Sequence, residues 1–518
     1  MVYKKSNLNQ TTLIPTNIST IISENHICYL IESLIEQLDF SEYDKKVKGC
    51  GNPTYHPRIN LKIIIYGICD KVTSTRKLEK LTHENIIYKY LSEGLHPNFH
   101  TFAMFRKNNS ELIKNCFLQT IEVAKKLDMI NLNKLYLDGT KIKANASKSK
   151  TFTKEEINFL SNFVDKHFEK MDEEDKKEDD EFGNSNGEPK IPDNLTSRRK
   201  LNEKIKEILK DINKSKKQLD NAKEKIELEK VDKINLTDID SKLIKMKKGL
   251  SYEQAYNCQL LVEDKSEMIV CNYLSNSAND SHETIPTMEK FKKDLKMDLK
   301  NIEIFQDNGY SNSLTADYYE KEGVVAYIPN PEMTKKLHGK EKYIKKFCND
   351  NFKFDFSRNQ AICPKGHVMD FKFKRIKNKK SNNWTNVYQT SKCLKCKLKS
   401  ECIGLNSNRK LRDAEINPLM RKIRLRFNTK EGVEKYNKRF HKGEIAQAHI
   451  LYNLGYREFR TRMKKSCENE VNLFSIAYNL KKIHIKLIKS GGGIKKGIEV
   501  LDNFIDFLVE RFLIRSCF

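Results

Sequence analysis

The apolar positions of this chain change period several times, and each change marks an element. From Ile27 to Leu38 they fall at helical spacing (Ile27, Leu30, Ile31, Leu34, Ile35, Leu38), with Ser23 placed to cap the predicted helix. The stretch from Tyr55 to Lys107 reads as several short helices broken at Pro57, Gly94 and Pro97, with Thr101 placed to cap one that carries Phe105, Arg106 and Lys107. Such a compact helical module resembles helix-turn-helix DNA binders. Leu135 to Ala144 switches to period two, which marks a strand or hairpin, and Asp138 sits where that strand turns. From Thr151 to about Lys233 the pattern becomes charged and helical, predicting a helical hairpin with an acidic tip inserted into the fold.

Strand character returns at AYNCQLLVE, EMIVCNYL and IEIFQD, with a helix TIPTMEKFKKDL before the last of these and another short strand at VVAYI after it. Counting the earlier strand KLYLD as the first, acidic residues end two of these strands: Asp138 closes KLYLD and Asp307 closes IEIFQD. The fold class is α/β, and this order of strands and helix is that of a ribonuclease-H-like core. A cysteine-bearing segment follows between Lys335 and about Arg412, then a basic helical stretch that carries Glu444. A last helical region, a triple-glycine hinge at Gly491 to Gly493 and an apolar tail complete the pattern.

Composition adds a partner. The chain of 518 residues has 96 Lys and Arg against 70 Asp and Glu, a formal charge of +26, which points to a polyanion such as nucleic acid. Enrichment in Lys, Asn and Ile would also raise the charge without any such partner. The amino terminus lacks the apolar region of a secretory signal, and the longest apolar run, Ile59 to Cys69, is short and broken by Asn60 and Lys62. A cytoplasmic protein is therefore expected. Thirteen cysteines, four of them between Cys363 and Cys402, favour reduced thiols and a metal site over a disulfide framework.

The candidate chemistry follows from the acids. Phosphodiester cleavage needs an activated oxygen and stabilisation of charge on the phosphate, which two divalent ions about 4 Å apart supply when hard oxygen ligands hold them. Asp138 suits the bridging position, with Asp307 and Glu444 as outer ligands. Asp280, in the loop-like SNSANDSHE, is the runner-up for Asp307. Cys363, Cys393, Cys396 and Cys402 have the spacing of a zinc ribbon with one irregular knuckle, and His367 or Cys348 are possible replacements.

Several motifs occur together in one order: YHPRINLKIIIYGICDKVTSTRKLEKL, HTFAMFRK, LYLDGTKIKANASKSK, KKGLSYEQAYNCQLLVEDK, IFQDNGYSN, ICPKGHVMDF, CLKCKLKSEC, YNKRFHKGEIAQAHILYNLGYREFRTR and NLFSIAYNLKKI. In this the chain resembles the DDE transposases of bacterial insertion sequences, from about Pro15 to Ile483. The resemblance implies that Asp138, Asp307 and Glu444 form the DDE triad and bind Mg²⁺ or Mn²⁺. Tyr436 and Arg439 precede Glu444 as Tyr-x-x-Arg-x-x-x-x-Glu, three apart on one helix face, where they can grip DNA beside the metals. Relatives commonly carry Lys seven residues after the Glu, where this chain has Leu451; Arg457, Arg460 and Arg462 are candidate substitutes, and Asn453 belongs to the same motif.

The implied organisation is a helical DNA-binding domain over 1-127, a first part of the core over 128-335 with a helical insertion at 151-235, and a zinc-ribbon-like insertion over 336-415. The second part of the core spans 416-490, and a helical tail 491-518. The implied function is cut-and-paste DNA transposition, by hydrolysis at terminal inverted repeats and strand transfer into target DNA, in a homodimeric synaptic complex. Arg106 is a further candidate DNA contact. A nuclease, or a DNA-binding regulator derived from a transposase, is the alternative.

Overall fold

The computed structural model describes residues 17–45, 54–178, 212–246, 251–337, 339, 347, 351–378, 383–406, 409–412, 417–490 and 493–494. The acidic tip, Cys348 and the apolar tail fall outside these residues. Besides two single turns, Ile18–Ile21 and Ser41–Asp44, the described residues before the first strand form α1 (Ile27–Glu36), α2 (Pro57–Cys69), α3 (Thr75–Glu84), α4 (Ile86–Leu91), α5 (Phe99–Asn108) and α6 (Ser110–Lys126). Two caps differ from the sequence expectation. His26, not Ser23, caps α1 by accepting from the Cys28 amide at 3.2 Å, and Asn98, not Thr101, caps α5 by accepting from the Thr101 amide at 2.8 Å. An imidazole or amide side chain immediately before the first turn reaches these amides, which are otherwise left without helical partners.

The main sheet has six strands among the described residues. They are β1 (Lys134–Lys143), β4 (Lys242–Lys245), β5 (Tyr252–Glu263), β6 (Ile269–Ser275), β7 (Glu303–Phe305) and β8 (Val325–Tyr327). One edge of β5 runs antiparallel to β1; its other edge meets β4 first and β6 further on. β7 and β8 continue the sheet on the far side of β1, both parallel. The order is therefore β6-β5-β1-β7-β8, and the two parallel strands follow crossover helices, α9 (Thr284–Leu295) before β7 and α10 (Ser313–Glu322) before β8.

Helices cover both faces, which is why β1 and β5 are buried nearly end to end. Successive residues of β6 show the layering, because side chains alternate across a strand. Cys271 Sγ donates to the Thr287 carbonyl of α9 at 3.7 Å, whereas Asn272 Nδ2 donates to Asn472 Oδ1 at 2.9 Å on α13 (Lys464–Lys489), over the opposite face.

Helix α13 is buried along most of its length and joins the amino-terminal helices to the sheet in one continuous apolar cluster. Its polar residues inside that cluster are paired, as burial requires. Asn479 Nδ2 donates to Thr120 Oγ1 of α6 at 3.0 Å and to the Ile269 carbonyl of β6 at 2.9 Å. Lys62, which interrupts the apolar run of α2, is also buried and is neutralised by Glu32, Glu36 and Glu93.

Two smaller units hang from this body. α7 (Lys154–Glu178) and α8 (Ile212–Glu229) pack together over the hairpin of β2 (Thr151–Thr153) and β3 (Lys233–Asn235), around Ile157, Leu160, Leu219 and Ile226. The cysteine-bearing segment forms a second sheet from β9 (Lys353–Asp355), β10 (Gln360–Ile362), β11 (Val368–Asn378), β12 (Asn383–Gln389) and β13 (Arg409–Arg412), in the order β13-β12-β11-β10-β9. After it come α11 (Pro418–Phe427) and α12 (Lys430–Ala448), which bring Glu444 back to the main sheet.

Candidate active site

Strand register decides which acids meet. Tyr136 of β1 is paired with Phe305 of β7, and Phe305 with Tyr327 of β8. Their rings stack across the sheet with centroids 5.0 and 4.8 Å apart, so all three share a face. Two residues further on, the pleat returns to that face at Asp138 and Asp307. Asp138, inside β1, and Asp307, two residues beyond the end of the parallel strand β7, are thus brought to the same face of the sheet. Asp138 is buried (7% exposed), and Asp307 is half-buried, its Oδ1 accepting from the Gly309 amide at 2.7 Å to start the turn Asn308–Tyr310.

Helix α12 lies over this face. A Cβ added at Gly443 would stand 3.8 Å from Tyr136 Cβ and 3.9 Å from Asp138 Cβ, so the absence of a side chain there brings the helix backbone down onto the strand. One turn earlier, Arg439 is buried, and its Nη2 lies 3.2 Å from Asp138 Oδ1. Burial opposes the guanidinium charge, but Asp138, then Tyr436 and Asp307, hold it protonated even more firmly than usual. Arg439 is the cation shared by the acid pair. Tyr436 sits at the edge of the aromatic stack, its ring 4.8 Å from Phe427, and burial pushes its hydroxyl up to about 12 against the pull of Arg439. Tyr436 is therefore chiefly a packing residue, where the sequence suggested a DNA grip.

Glu444 follows Gly443 directly but is exposed. A step of one residue turns a helix by about 100°, which carries Glu444 to the rim of the site rather than over Asp138. The structure thus joins Asp138, Asp307 and Arg439 closely and leaves Glu444 beside them. A π-helical turn, His449–Asn453, ends α12 and redirects the chain.

The basic turn beyond it is fixed to the same end of β1. The Lys143 amide donates to the Arg457 carbonyl at 3.2 Å, and the Phe459 amide to the Lys143 carbonyl at 2.9 Å. Arg462 Nε donates to the Asn145 carbonyl at 3.0 Å, and buried Glu470 of α13 accepts from the Arg460 amide at 3.1 Å. Asn453, Arg457, Arg460 and Arg462 are exposed there, with Arg457 lying 4.7 Å from the centroid of the Tyr452 ring. Arg106 is different. It is 2% exposed, and its Nη1 donates to the Thr73 carbonyl at 2.9 Å, so it fastens α5 to the loop between α2 and α3 and has no surface to offer DNA.

Sequence reasoning missed the polar group behind Asp138, on the opposite face of the sheet. Asp280 stands there over Gly139, surrounded by Lys141, Asn257 and Gln259. The available signal was the glycine in LYLDGTK: a Cβ at Gly139 would lie 2.4 Å from Asp280 Oδ1.

In the cysteine-bearing unit, Cys363, Cys393, Cys396, Cys402 and His367 line one cavity with Phe352 and Met369. Burial, then the neighbouring thiols of Cys363, Cys402 and Cys396, pushes the Cys393 thiol up. The described cysteines are free thiols, and among the described residues no three His, Cys, Asp or Glu side chains are grouped as a metal ion needs them.

Two family models match parts of the sequence. One described as "Transposase DDE domain" matches residues 362–484, which include Glu444 and the basic turn, and one described as "Transposase domain (DUF772)" matches residues 16–108, the amino-terminal helices. No curated protein matches the sequence. Among solved structures, a piggyBac transposase synaptic complex with hairpin DNA aligns with 97% of this chain and 84% of that one, at 10% identity and a TM-score of 0.28, too distant to carry an argument. The two matches, both to transposase domains and in this order along one chain, support a DDE transposase of the insertion-sequence type; such transposases cleave DNA and transfer its strands with the help of divalent metal ions.

Proposed function

We propose that the chain moves an insertion sequence by cut-and-paste transposition, hydrolysing phosphodiester bonds at the terminal inverted repeats and joining the freed 3′-hydroxyls to target DNA. The observation that carries this reading is the pair Asp138, in β1, and Asp307, just beyond the parallel strand β7, with buried Arg439 ion-paired to Asp138 and its charge favoured by both acids. The sheet order β6-β5-β1-β7-β8, with β5 antiparallel and β7 parallel to β1, supports a ribonuclease-H-like core. The domain limits follow: helical 1-127, core 128-335 and 416-490, insertions 151-235 and 336-415.

The donor set fits a hard divalent cation, being carboxylate oxygens that already draw in one positive charge. Asp138 would be the bridging ligand and Asp307 and Glu444 the outer ones for Mg²⁺ or Mn²⁺. When bound, two such ions make the attacking oxygen nucleophilic and stabilise charge on the phosphate and leaving oxygen. The chain's own residues do the rest. Arg439 is ion-paired with Asp138 in a buried setting, and the aromatic stack beside them holds β1 and β7 level. Glu444 turns inward from the rim. Asn453, Arg457, Arg460 and Arg462 hold the DNA backbone at the catalytic end of the sheet, with the amino-terminal helices as a second contact surface.

A homodimer bridges two element ends, in the cytoplasm, associated with the nucleoid. Cys363, Cys393, Cys396 and Cys402, which line one cavity without being grouped as ligands there, would hold a structural zinc ion only if drawn together around it; elemental analysis finding one zinc per chain tests this. The central test is Asp138→Asn assayed on DNA carrying the terminal repeats and on precleaved ends. The expected result is loss of cleavage and joining by about three orders of magnitude or more, with end binding retained. Unchanged cleavage would remove the proposed metal site.

A further inference from the structure

The site has a support on the reverse of the sheet. Asp280 Oδ1 accepts from Asn257 Nδ2 at 2.7 Å, from Gln259 Nε2 at 2.9 Å and from Lys141 Nζ at 3.1 Å. The amide of Gln259 is thereby oriented, since its nitrogen faces a carboxylate and its oxygen must face elsewhere. That oxygen, Oε1, accepts from the hydroxyl of Tyr310. Tyr310 is completely buried, and it ends the turn Asn308–Tyr310 that begins at Asp307. The connection runs in one direction: carboxylate of Asp280, amide of Gln259, hydroxyl of Tyr310, turn, carboxylate of Asp307. Burial, then the charges of Asp138, Asp280 and Asp307, push the Tyr310 hydroxyl far above its ordinary value, so it is always a donor.

Two features show that the arrangement is built in. Gly139 leaves the room that Asp280 and Gln259 occupy, since a Cβ there would stand 2.4 Å from Asp280 Oδ1 and 2.6 Å from Gln259 Nε2. The turn is also braced from α11, where buried Arg424 donates from Nη2 to Ser311 Oγ at 3.2 Å. The Asp307 carboxylate sits on a short turn beyond the end of β7, whereas Asp138 sits inside β1. It is the member of the pair that needs external positioning.

We propose that Asp280 is a positioning residue for the reaction: through Gln259 and Tyr310 it fixes the turn that aims Asp307 at the metal, without touching metal or DNA itself. This rests on the reading of Asp138 and Asp307 as metal ligands. The test uses the full chain with Tyr310→Phe, which removes one hydroxyl and keeps the ring, and Asp280→Asn, which keeps the shape and removes the charge. Mn²⁺ binding is measured by electron paramagnetic resonance without DNA, end cleavage on terminal-repeat DNA, and folding by thermal melting, all at a temperature where each variant is folded.

Both variants should bind Mn²⁺ about ten-fold more weakly and cleave about ten- to a hundred-fold more slowly, since a misplacement near 1 Å costs about that much. Affinity for end DNA should not change. Wild-type Mn²⁺ affinity and cleavage in both variants would overturn the proposal, as would a lowered melting temperature with unchanged Mn²⁺ affinity and rate per folded molecule. Asp138→Asn separates the two levels: if it is inactive while both variants behave as wild type, only the positioning role falls. If it cleaves normally, the reading of the acid pair itself falls.

Discussion

The two faces of β1 teach different things about the same strand. The face toward α12 carries Tyr136 and Asp138, and here an aromatic stack and a buried Asp–Arg pair meet a helix brought close by Gly443. The opposite face carries Gly139 and Lys141, and here a carboxylate from a loop fills the space a side chain would take. Both faces place a glycine beside an acid, but for opposite reasons. Gly443 allows close packing with ordinary contact distances to spare, whereas Gly139 leaves no room at all. The front face sets which charges meet, and the rear face sets how rigidly they are held.

Substitutions that separate the faces would sharpen this contrast. The largest effect on stability is expected from Arg439→Leu, which leaves Asp138 buried without its cation; removing one partner of a buried pair costs about 3 to 5 kcal/mol. Chemical denaturation should show that loss, and added Mn²⁺ should recover part of it, because another cation can then serve the acids. No recovery with Mn²⁺ would count against the acid pair as a metal site. Gly139→Ala comes next. Its Cβ meets Asp280 and Gln259 well inside contact distance, so overpacking should cost about 1 to 3 kcal/mol and slow end cleavage.

A smaller effect concerns pH. Burial by itself pushes the Asp280 carboxyl up, but Lys141, Asn257 and Gln259 together outweigh it and hold the group below its ordinary 3.8. A carboxyl depressed on folding contributes stability that is present above its unfolded value and is lost as pH falls through the folded one. Asp280→Asn should therefore flatten the stability profile below about pH 4, and a profile identical to wild type would contradict the network. The smallest effect is expected from Gly443→Ala, where the added methyl meets Tyr136 and Asp138 at 3.8 and 3.9 Å; a change in stability within about 0.5 kcal/mol fits such a site. A loss as large as that at Gly139 would erase the distinction between the faces.

Much of the core was legible because period-two runs are short and bounded here. The strands at AYNCQLLVE, EMIVCNYL and VVAYI, and the helix TIPTMEKFKKDL, correspond to β5, β6, β8 and α9. Asp138 and Asp307 could be picked because each follows an apolar run, although β1 continues through Asp138 to Lys143 where the sequence suggested a turn. Arg106 could not be read correctly, since a basic residue on an amphipathic helix looks the same whether it faces DNA or donates to a buried carbonyl. The caps at His26 and Asn98 were passed over for hydroxyl residues nearby, a choice that only backbone geometry settles. Asp280 looked like a second choice for a ligand because its partners, Lys141, Asn257 and Gln259, come from two other strands.

The sequence by itself determined the elements, the positive charge and the order of the acidic residues, because periodicity and composition are local properties of a chain. The tertiary structure decided which residues share a face and a distance. Parallel register between β1 and β7 put Asp138 beside Asp307. One helical step separated Gly443, over the acids, from Glu444 at the rim, and strand alternation sent Asp280 to the reverse of the sheet. Those outcomes depend on pairing between segments more than a hundred residues apart, which no local pattern encodes.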